Sequence, residues 1–181
     1  MSKPSPTERI APDPMSQTPT LETDRLILRP MSLDDWSAYK KLMGSERARY
    51  MGGPFSERDA WGMFCHDAGQ WSLFGHGALM IVEKSSGAVA GQVGINHGPL
   101  FPEKELGWML YDTAEGKGFA FEAAVRLRQW AFETLEIPAL VSYIDPDNAK
   151  SQRLAQRLGA QLDADAPRSD PTDLVYRHLR P

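Results

Sequence analysis

Three strand-like segments follow one another in the middle of the chain, joined by connections too short to hold a helix. They cover residues 78–83, 88–95 and 103–111, with a Ser-Ser-Gly turn after the first and a loop containing Gly and Pro after the second. Parallel neighbours need a crossover of roughly a dozen residues or more, so we expect these segments to pair as antiparallel hairpins. This pattern disfavours a purely alternating, parallel dinucleotide-binding domain.

Helical patterns lie on both sides of these strands. Apolar residues recur at three- and four-residue spacing, with Ser or Asn at the starts and Gly near several of the ends. The predicted helices cover residues 33–44, 56–75, 119–135 and 148–158. The other predicted strands cover residues 26–28, 140–144, 160–163 and 174–179. The resulting order, β α α β β β α β α β β, indicates a mixed α/β domain.

Composition restricts the class of protein. The 181 residues carry a formal net charge of −4 and one cysteine. We therefore expect a single domain over residues 21–181, no nucleic-acid partner and no internal disulfide, which together favour a cytoplasmic protein. No apolar run is long enough for a membrane helix, so no membrane partner is expected, whereas a homodimer stays open. Residues 1–20 contain five prolines and no aromatic residue, and we predict a disordered leader in which Met15 is an alternative start.

A glycine turn stands between the last central strand and the long helix. Gly116, Lys117 and Gly118 precede the helix, whose free amides and dipole suit an anion such as a pyrophosphate. By itself the turn is also compatible with a plain helix start, since it lacks both the Walker pattern and the three-glycine dinucleotide fingerprint. Its chemistry therefore depends on the surrounding sequence.

Four segments in this order give the chain a family resemblance. They are LETDRLILRP at 21–30, ELGWML at 105–110, EGKGFAFEA at 115–123 and NAKSQRLAQRLG at 148–159. On these residues the chain resembles the GCN5-related N-acetyltransferases (GNAT), in particular their RimJ/RimL-like branch, over about residues 21–180. The resemblance implies a central, mostly antiparallel twisted sheet of about seven strands, flanked by about four helices and splayed at the cofactor cleft. It also implies acetyl-CoA as cosubstrate, and we expect no metal.

The resemblance assigns cofactor contacts to three places. The strand residues would pair with pantetheine, the turn residues would hold the pyrophosphate, and the first residues of the last helix would contact pantetheine. These predicted residues are Trp108, Met109, Leu110, Glu115, Gly116, Lys117, Gly118, Phe119, Ala120, Asn148 and Ser151.

The first motif position departs from the family pattern. The acetyl-CoA motif Gln/Arg-x-x-Gly-x-Gly/Ala falls on Glu115, Gly118 and Ala120. A carboxylate near a pyrophosphate is unfavourable by repulsion, although backbone amides supply most contacts there. Lys117 offers a compensating charge.

Two residues are assigned to catalysis. Ser151 shares a helix face with Asn148. The family resemblance implies that Ser151 is a candidate proton donor to the CoA thiolate. From the residues alone, Asn148 and Ser151 are explained as ordinary residues at the N-terminus of a helix. Tyr143 and Tyr176 are fallback donors that also fit strand packing. Glu105 is the leading candidate for the base that deprotonates the amine, although an acidic strand edge is an equal explanation.

Other residues are weaker candidates. Glu103, His97 and His66 are alternative bases, and no His/Cys/Asp cluster has metal-ligand spacing.

Cys65, on an amphipathic helix, is predicted to be buried and inert. The two early helices are expected to hold the acceptor site, with most of their aromatic residues packing the core. Those aromatic residues are Trp36, Tyr50, Trp61, Trp71 and Phe74.

The predicted function is transfer of an acetyl group to a primary amine, either a protein N-terminus or a small amine, by direct attack without an acyl-enzyme. A non-catalytic module that binds and senses acyl-CoA is the alternative. A structural partner protein is a third reading, and it would require the Gly-Lys-Gly turn to be incidental.

Overall fold

The computed structural model describes residues 18–180. Within them an eight-stranded sheet has the order β1-β2-β3-β4-β5-β6-β8-β7. The strands are β1 Leu21–Glu22, β2 Leu26–Arg29, β3 Ala78–Glu83, β4 Val89–Asn96, β5 Glu105–Leu110, β6 Ala139–Ile144, β7 Gln161–Leu162 and β8 Leu174–Leu179. The predicted leader falls mainly on residues 1–17, outside the described range.

Four α-helices accompany the sheet. They are α1 Trp36–Met43, α2 Glu57–Phe74, α3 Phe119–Thr134 and α4 Ala149–Arg157. Short 3-10 helices cover Leu33–Asp35, Glu46–Met51 and Asp112–Ala114. The mixed α/β prediction and its element order are confirmed, with β1 and the 3-10 helices as additions. The helix at Glu46–Met51 was missed because its six residues are too short to show a helical period.

The sheet divides between β5 and β6. Every other neighbouring pair is antiparallel, whereas β5 and β6 are parallel and share one paired position, Glu105 with Val141. The Val141 amide donates to the Lys104 carbonyl oxygen at 3.0 Å, and the Ser142 hydroxyl donates to the Leu106 carbonyl oxygen at 2.7 Å. Beyond these bonds the strands diverge, which opens a cleft in the sheet as expected.

The main core lies between the sheet and α3. It contains Leu79 and Val93 from the central strands, Leu106 from β5 and Leu127 from α3, each with no exposed surface. Trp71 of α2 joins this core, and its indole nitrogen donates to the Ala78 carbonyl oxygen at 2.8 Å. Burial of these apolar surfaces is the main force holding α3 beneath the cleft.

A second core joins α1 to α2. Tyr39 and Phe64 pack edge to face with ring centroids 5.1 Å apart, and Trp36 contacts Trp61 in the same manner at 5.0 Å. The predicted packing role of these early aromatic residues is therefore confirmed for Trp36 and Trp71, whereas Trp61 is 43% exposed and packs only at the edge of this core. This core places α2 alongside the cleft.

A bulge in β4 brings that strand unusually close to β5. Ile81 pairs with Gly91 and Val82 pairs with Val89, so Ala90 is the extra residue. Gly91 has φ +151°, and a Cβ there would overlap the Met109 carbonyl oxygen. Only glycine allows this approach without strain.

The prediction that Cys65 is buried was wrong, because its side chain is exposed on α2. The buried face of α2 includes Ala60, Phe64, Gln70 and Trp71, and Cys65 follows Phe64 by one residue, about 100° around the helix. Among residues 18–180, no helix has both the length and the apolar character needed to cross a membrane.

Candidate active site

A cavity of about 950 Å³ lies beside the end of β5, where that strand has diverged from β6. Its walls come from the end of β5, the turn before α3, the start of α4 and the 46–51 helix. Of the predicted cofactor residues, those lining it are Trp108, Met109, Leu110, Glu115, Gly116, Ala120, Asn148 and Ser151. The structure therefore gathers three separate predicted segments around one space.

The turn before α3 has the backbone form that an anion site requires. Gly116 and Gly118 have φ of +77° and +80°, and Gly118 is the N-cap of α3. The first amides of the helix are therefore at the end of the turn, where the helix dipole favours negative charge. The side chains of Lys117 and Phe119 do not line the cavity, and Phe119 is buried in the core. The predicted contacts of Lys117, Gly118 and Phe119 with the pyrophosphate could therefore involve only their backbone amides, and they stay predictions.

The loop between β1 and β2 holds this turn in place. Arg25 donates to the Lys117 carbonyl oxygen at 3.0 Å and forms an ion pair with Glu122 at 2.6 Å. Thr23 also donates its hydroxyl hydrogen to Glu122, at 2.5 Å. These two residues therefore contact the glycine turn and the first turn of α3 from almost a hundred residues away in the sequence.

Glu115 is paired with two cations. Its two carboxylate oxygens contact Arg47 at 2.6 Å and Lys150 at 2.9 Å. Hydrogen bonds from Lys150 and Arg47 lower the pKa of Glu115. The expectation that Lys117 compensates this charge was wrong, because Lys117 lies 3.7 Å from Glu83 instead. The negative charge of Glu115, which was expected to repel a pyrophosphate, is therefore balanced by Arg47 from the 46–51 helix and Lys150 from α4.

Arg47 is a site residue that the sequence interpretation missed. Besides Glu115, it contacts Asp112 at 2.7 Å and donates to the Leu110 carbonyl oxygen at 2.8 Å. These bonds fix the 46–51 helix over the end of β5. Ser45, whose hydroxyl accepts a hydrogen bond from the Arg47 amide, is the one local signal that could have indicated this helix start.

The start of α4 presents two polar side chains to the cavity. The Asn148 side-chain oxygen accepts the Ser151 amide hydrogen at 3.1 Å, as an N-cap. The Ser151 hydroxyl oxygen accepts a hydrogen bond from the indole nitrogen of Trp108 at 3.3 Å. The N-cap interpretation is therefore confirmed for Asn148, whose amide nitrogen stays available to a ligand. The contact of Asn148 with pantetheine and the proton-donor role of Ser151 stay predictions.

A second cavity of about 530 Å³ continues from the first. The residues that line both are Arg49, Tyr50, Met51, Trp108, Asn148 and Ser151. The residues that line the second cavity include three apolar ones, Met63, Leu100 and Phe101, and four acidic ones, Glu105, Asp145, Asp170 and Asp173. Of the early aromatic residues, Tyr50 lines both cavities.

Glu105 lies at the start of β5, on the wall of this second cavity. Its Oε2 atom accepts a hydrogen bond from the Asn96 side chain at 2.9 Å. Burial raises the pKa of Glu105 to about 7, opposed by hydrogen bonds from Asn96 and the Tyr143 backbone. A carboxylate with a pKa near neutrality suits proton abstraction at neutral pH.

The alternative bases have other partners. Glu103 forms two hydrogen bonds with Arg177, both at 2.8 Å, and these bonds lower its pKa. His66 contacts the Gln70 side chain at 3.0 Å, and neither His66 nor His97 lines either cavity. Glu105 is thus the candidate base that faces the cleft.

The fallback acids differ in position. Tyr143 lines the second cavity, and its hydroxyl oxygen accepts a hydrogen bond from the Glu103 amide at 3.2 Å. Tyr176 is buried in a small core with Ile144 and Ala155, which agrees with strand packing. Across residues 18–180, no group of three or more His, Cys, Asp or Glu side chains is arranged to hold a metal ion.

Comparisons with known proteins agree with this geometry. The model of the acetyltransferase (GNAT) domain family matches residues 25–161. A crystal structure of an acetyltransferase from Agrobacterium tumefaciens is 57% identical, with a TM-score of 0.89 over 91% of this chain and 96% of that one. A Bacillus subtilis protein described as the uncharacterized N-acetyltransferase YnaD is 24% identical, over 77% of this chain and 81% of its own length. A structure named as a candidate ribosomal-protein-serine acetyltransferase from Vibrio cholerae is 25% identical, with a TM-score of 0.68 over 89% and 97% of the two chains.

Proposed function

The chain belongs to the GNAT acetyltransferase family, and we propose that it transfers the acetyl group of acetyl-CoA directly to a primary amine. The observation that carries this proposal is the junction of the two cavities at Trp108, Asn148 and Ser151. One cavity has the glycine turn and the diverging strand edge that suit CoA. The other has Glu105, so donor and acceptor would meet at the junction.

Each part of CoA has a matching group on the wall of the first cavity. The amides of residues 116–120 would hold the pyrophosphate, with Arg47 and Lys150 as nearby cations. The edge of β5 at Trp108–Leu110 that is not paired with β6 would pair with the amides of pantetheine, as an added strand does, beside the Arg47 hydrogen bond to the Leu110 carbonyl oxygen. The side-chain nitrogen of Asn148 would donate to a pantetheine carbonyl oxygen.

In the proposed reaction, Glu105 accepts a proton from the ammonium form of the acceptor, directly or through water. The neutral amine then attacks the thioester carbonyl carbon, the new C–N bond forms, and the C–S bond breaks to release CoA thiolate. The Ser151 hydroxyl would protonate that thiolate and regain a proton from the acylated nitrogen, directly or through water, so that the nitrogen loses its second proton and the amide is neutral. In the structure the Ser151 oxygen accepts the Trp108 indole hydrogen, so its own hydrogen is directed elsewhere. No acyl-enzyme is formed.

The base should matter more than the acid. An alkyl ammonium has a pKa near that of lysine, about 10.4, and is almost wholly protonated at neutral pH. A CoA thiol has a pKa near that of free cysteine, about 8.5, and is already a fair leaving group. We therefore expect Glu105→Gln to lower kcat strongly and Ser151→Ala to lower it mildly.

The acceptor would be a protein N-terminal amine or a small amine. The acidic residues that line the second cavity favour a cationic acceptor, and the apolar lining residues offer contact to a neighbouring apolar group. The ribosomal-protein name of the Vibrio cholerae relative supports including N-terminal peptides among the candidates.

A thiol-release assay with a panel of N-terminal peptides and small amines tests this function. Acetyl-CoA consumption that depends on the amine is expected, and the deficit of Glu105→Gln should shrink as pH rises and more free amine appears. CoA binding without turnover on any amine would support the acyl-CoA sensor instead. Wild-type kcat in Glu105→Gln across the pH range would move the base to another residue, with Glu103 and His97 tested next.

Calorimetry with CoA tests the cofactor position separately. Gly118→Asp places a charge at the pyrophosphate turn, whereas Gly118→Ala adds the same Cβ and the same backbone strain without the charge. The Asp variant should bind CoA much more weakly than the Ala variant. Equal affinities in two folded variants would contradict the proposed placement of the pyrophosphate.

A further inference from the structure

Gln70 is a buried polar residue whose hydrogen-bonding groups are all engaged. It lies on α2 with 1% of its surface exposed. Its side-chain nitrogen donates to the Asn96 side-chain oxygen at 3.1 Å and contacts the ring nitrogen Nε2 of His66 at 3.0 Å. Its side-chain oxygen accepts the His97 amide hydrogen at 2.7 Å. Such complete pairing fixes the orientation of the Gln70 amide group.

Asn96 links Gln70 to the candidate base. It stands opposite Glu105 in the β4–β5 register, and its side-chain nitrogen donates to Glu105 Oε2 at 2.9 Å. Because the Asn96 oxygen already accepts a hydrogen from Gln70, the nitrogen is the end that must face Glu105. Rotation of the Asn96 amide by 180° would break the bond to Gln70 and direct an oxygen at a carboxylate.

We propose that Gln70 is a positioning residue for acetyl transfer: acting through Asn96, it keeps a hydrogen-bond donor directed at Glu105 and so favours the ionised form of the base. Gln70 lines neither cavity and need not touch either substrate. This inference rests on the proposed role of Glu105.

The surroundings of Glu105 make this donor important. Its charged and titratable neighbours are Asp67 from α2 and Asp173 from the segment before β8, and both disfavour a second negative charge. Tyr143 of β6 contributes a backbone hydrogen bond to Glu105. The pKa of the Tyr143 phenol is raised by burial, and the negative charge of Glu105 adds to that increase. No cation is among the groups that act on Glu105 in the described chain. The Asn96 amide is thus the side-chain group that stabilises the carboxylate.

Replacement of Gln70 by Met removes the donor and keeps a side chain of similar length. Asn96 is then free to turn, and we expect the pKa of Glu105 to rise by about one pH unit. With a starting pKa of about 7, the ionised fraction at pH 7 falls from about one half to about one tenth. The value of kcat/KM at pH 7 should therefore fall about fivefold and recover as pH rises above 8.

Two readouts separate this inference from the proposed function. Carboxyl NMR titration of protein labelled with ¹³C-glutamate, with the Glu105 resonance identified by Glu105→Gln, reports the pKa without any need for turnover. The pH profile of kcat/KM reports whether the same group controls acetyl transfer. His66 and His97 also contact Gln70 and are followed through their own ring resonances.

Three variants complete the design. Asn96→Ala removes the donor itself and should raise the pKa at least as much as Gln70→Met does. The double variant should match Asn96→Ala alone, because Gln70 acts through Asn96. Leu21→Ala, in the buried part of the edge strand β1, is a destabilised control that should leave the pKa of Glu105 unchanged.

An unchanged Glu105 pKa in Gln70→Met, or additive shifts in the double variant, would overturn the inference. If the NMR pKa rises while the kcat/KM profile stays at its wild-type position, the hydrogen-bonded chain stands but Glu105 is not the base. In that case the proposed mechanism fails, and the role of Gln70 in catalysis fails with it.

Discussion

Gly91 provides the most direct test of how the fold shapes the cofactor cleft. The substitution Gly91→Ala puts a Cβ into the close approach of β4 and β5. That atom would overlap the Met109 carbonyl oxygen and lie 2.8 Å from the Leu110 Cα, against 3.4 Å or more in ordinary contacts. The Leu110 backbone must therefore retreat by about 0.6 Å, and the Met109 carbonyl by more. Both residues line the larger cavity.

Two costs add at this position. Overpacking in a tight site costs about 1–3 kcal/mol, and a residue with a side chain at φ +151° adds backbone strain of comparable size. We expect a loss of about 3 kcal/mol in the free energy of unfolding. For a domain of this size that corresponds to a decrease in Tm of about 6–12 °C.

Thermal unfolding and CoA calorimetry measure the two consequences. The folded fraction of Gly91→Ala should also bind CoA more weakly, because β5 moves toward the cleft. Gly62→Ala is the matched control: it lies on α2 with nothing within 4 Å of the added Cβ, and it should gain about 0.5–1 kcal/mol as a helix substitution. A Gly91→Ala protein with wild-type Tm and wild-type CoA affinity would refute this reasoning.

Two further predictions concern Glu105 and Cys65. The pKa of Glu105 rises from 4.5 to about 7 on folding, so its contribution to stability is full below about pH 4.5 and is lost as pH rises through 7. Glu105→Gln should therefore be more stable than wild type at pH 8, by about 1–3 kcal/mol, and should lose that advantage at pH 5; urea unfolding at both pH values measures this. Cys65 is exposed, so an aromatic disulfide reagent should label it in the native protein as fast as in urea; labelling only after unfolding would contradict the exposed position.

Local sequence signals predicted most of the elements. Ser56 and Gly75 bound α2 as N-cap and C-cap, and the predicted strand at 174–179 agrees with β8 residue for residue. These features depend on neighbours along the chain, so a single sequence contains them. The segments that line the first cavity were also predictable as segments, because the glycine turn and the start of α4 are each continuous in sequence.

The pairings within the site could not be predicted in the same way. Arg47 and Glu115 are 68 residues apart, and Gln70 and Asn96 are 26 apart. Each of these four residues is of a common polar type, and no neighbouring sequence motif indicates its partner. The partner is determined by how α2 and the 46–51 helix pack on the sheet. Lys117 shows the same limit: it is two residues from Glu115, yet the turn directs it to Glu83.

The divergence of β5 from β6 separates the sheet into two hydrogen-bonded blocks. Strands β1 to β5 form one ladder, strands β6 to β8 form the other, and a single paired position joins them. Blocks joined so sparsely are able to open at different free energies. A ligand bound between β5 of one block and α4, which packs on β6 of the other, adds its binding free energy at the junction, about 2.7 kcal/mol at a hundred times its Kd. An acyl donor bound as proposed would therefore also couple the unfolding of one half of the sheet to the other.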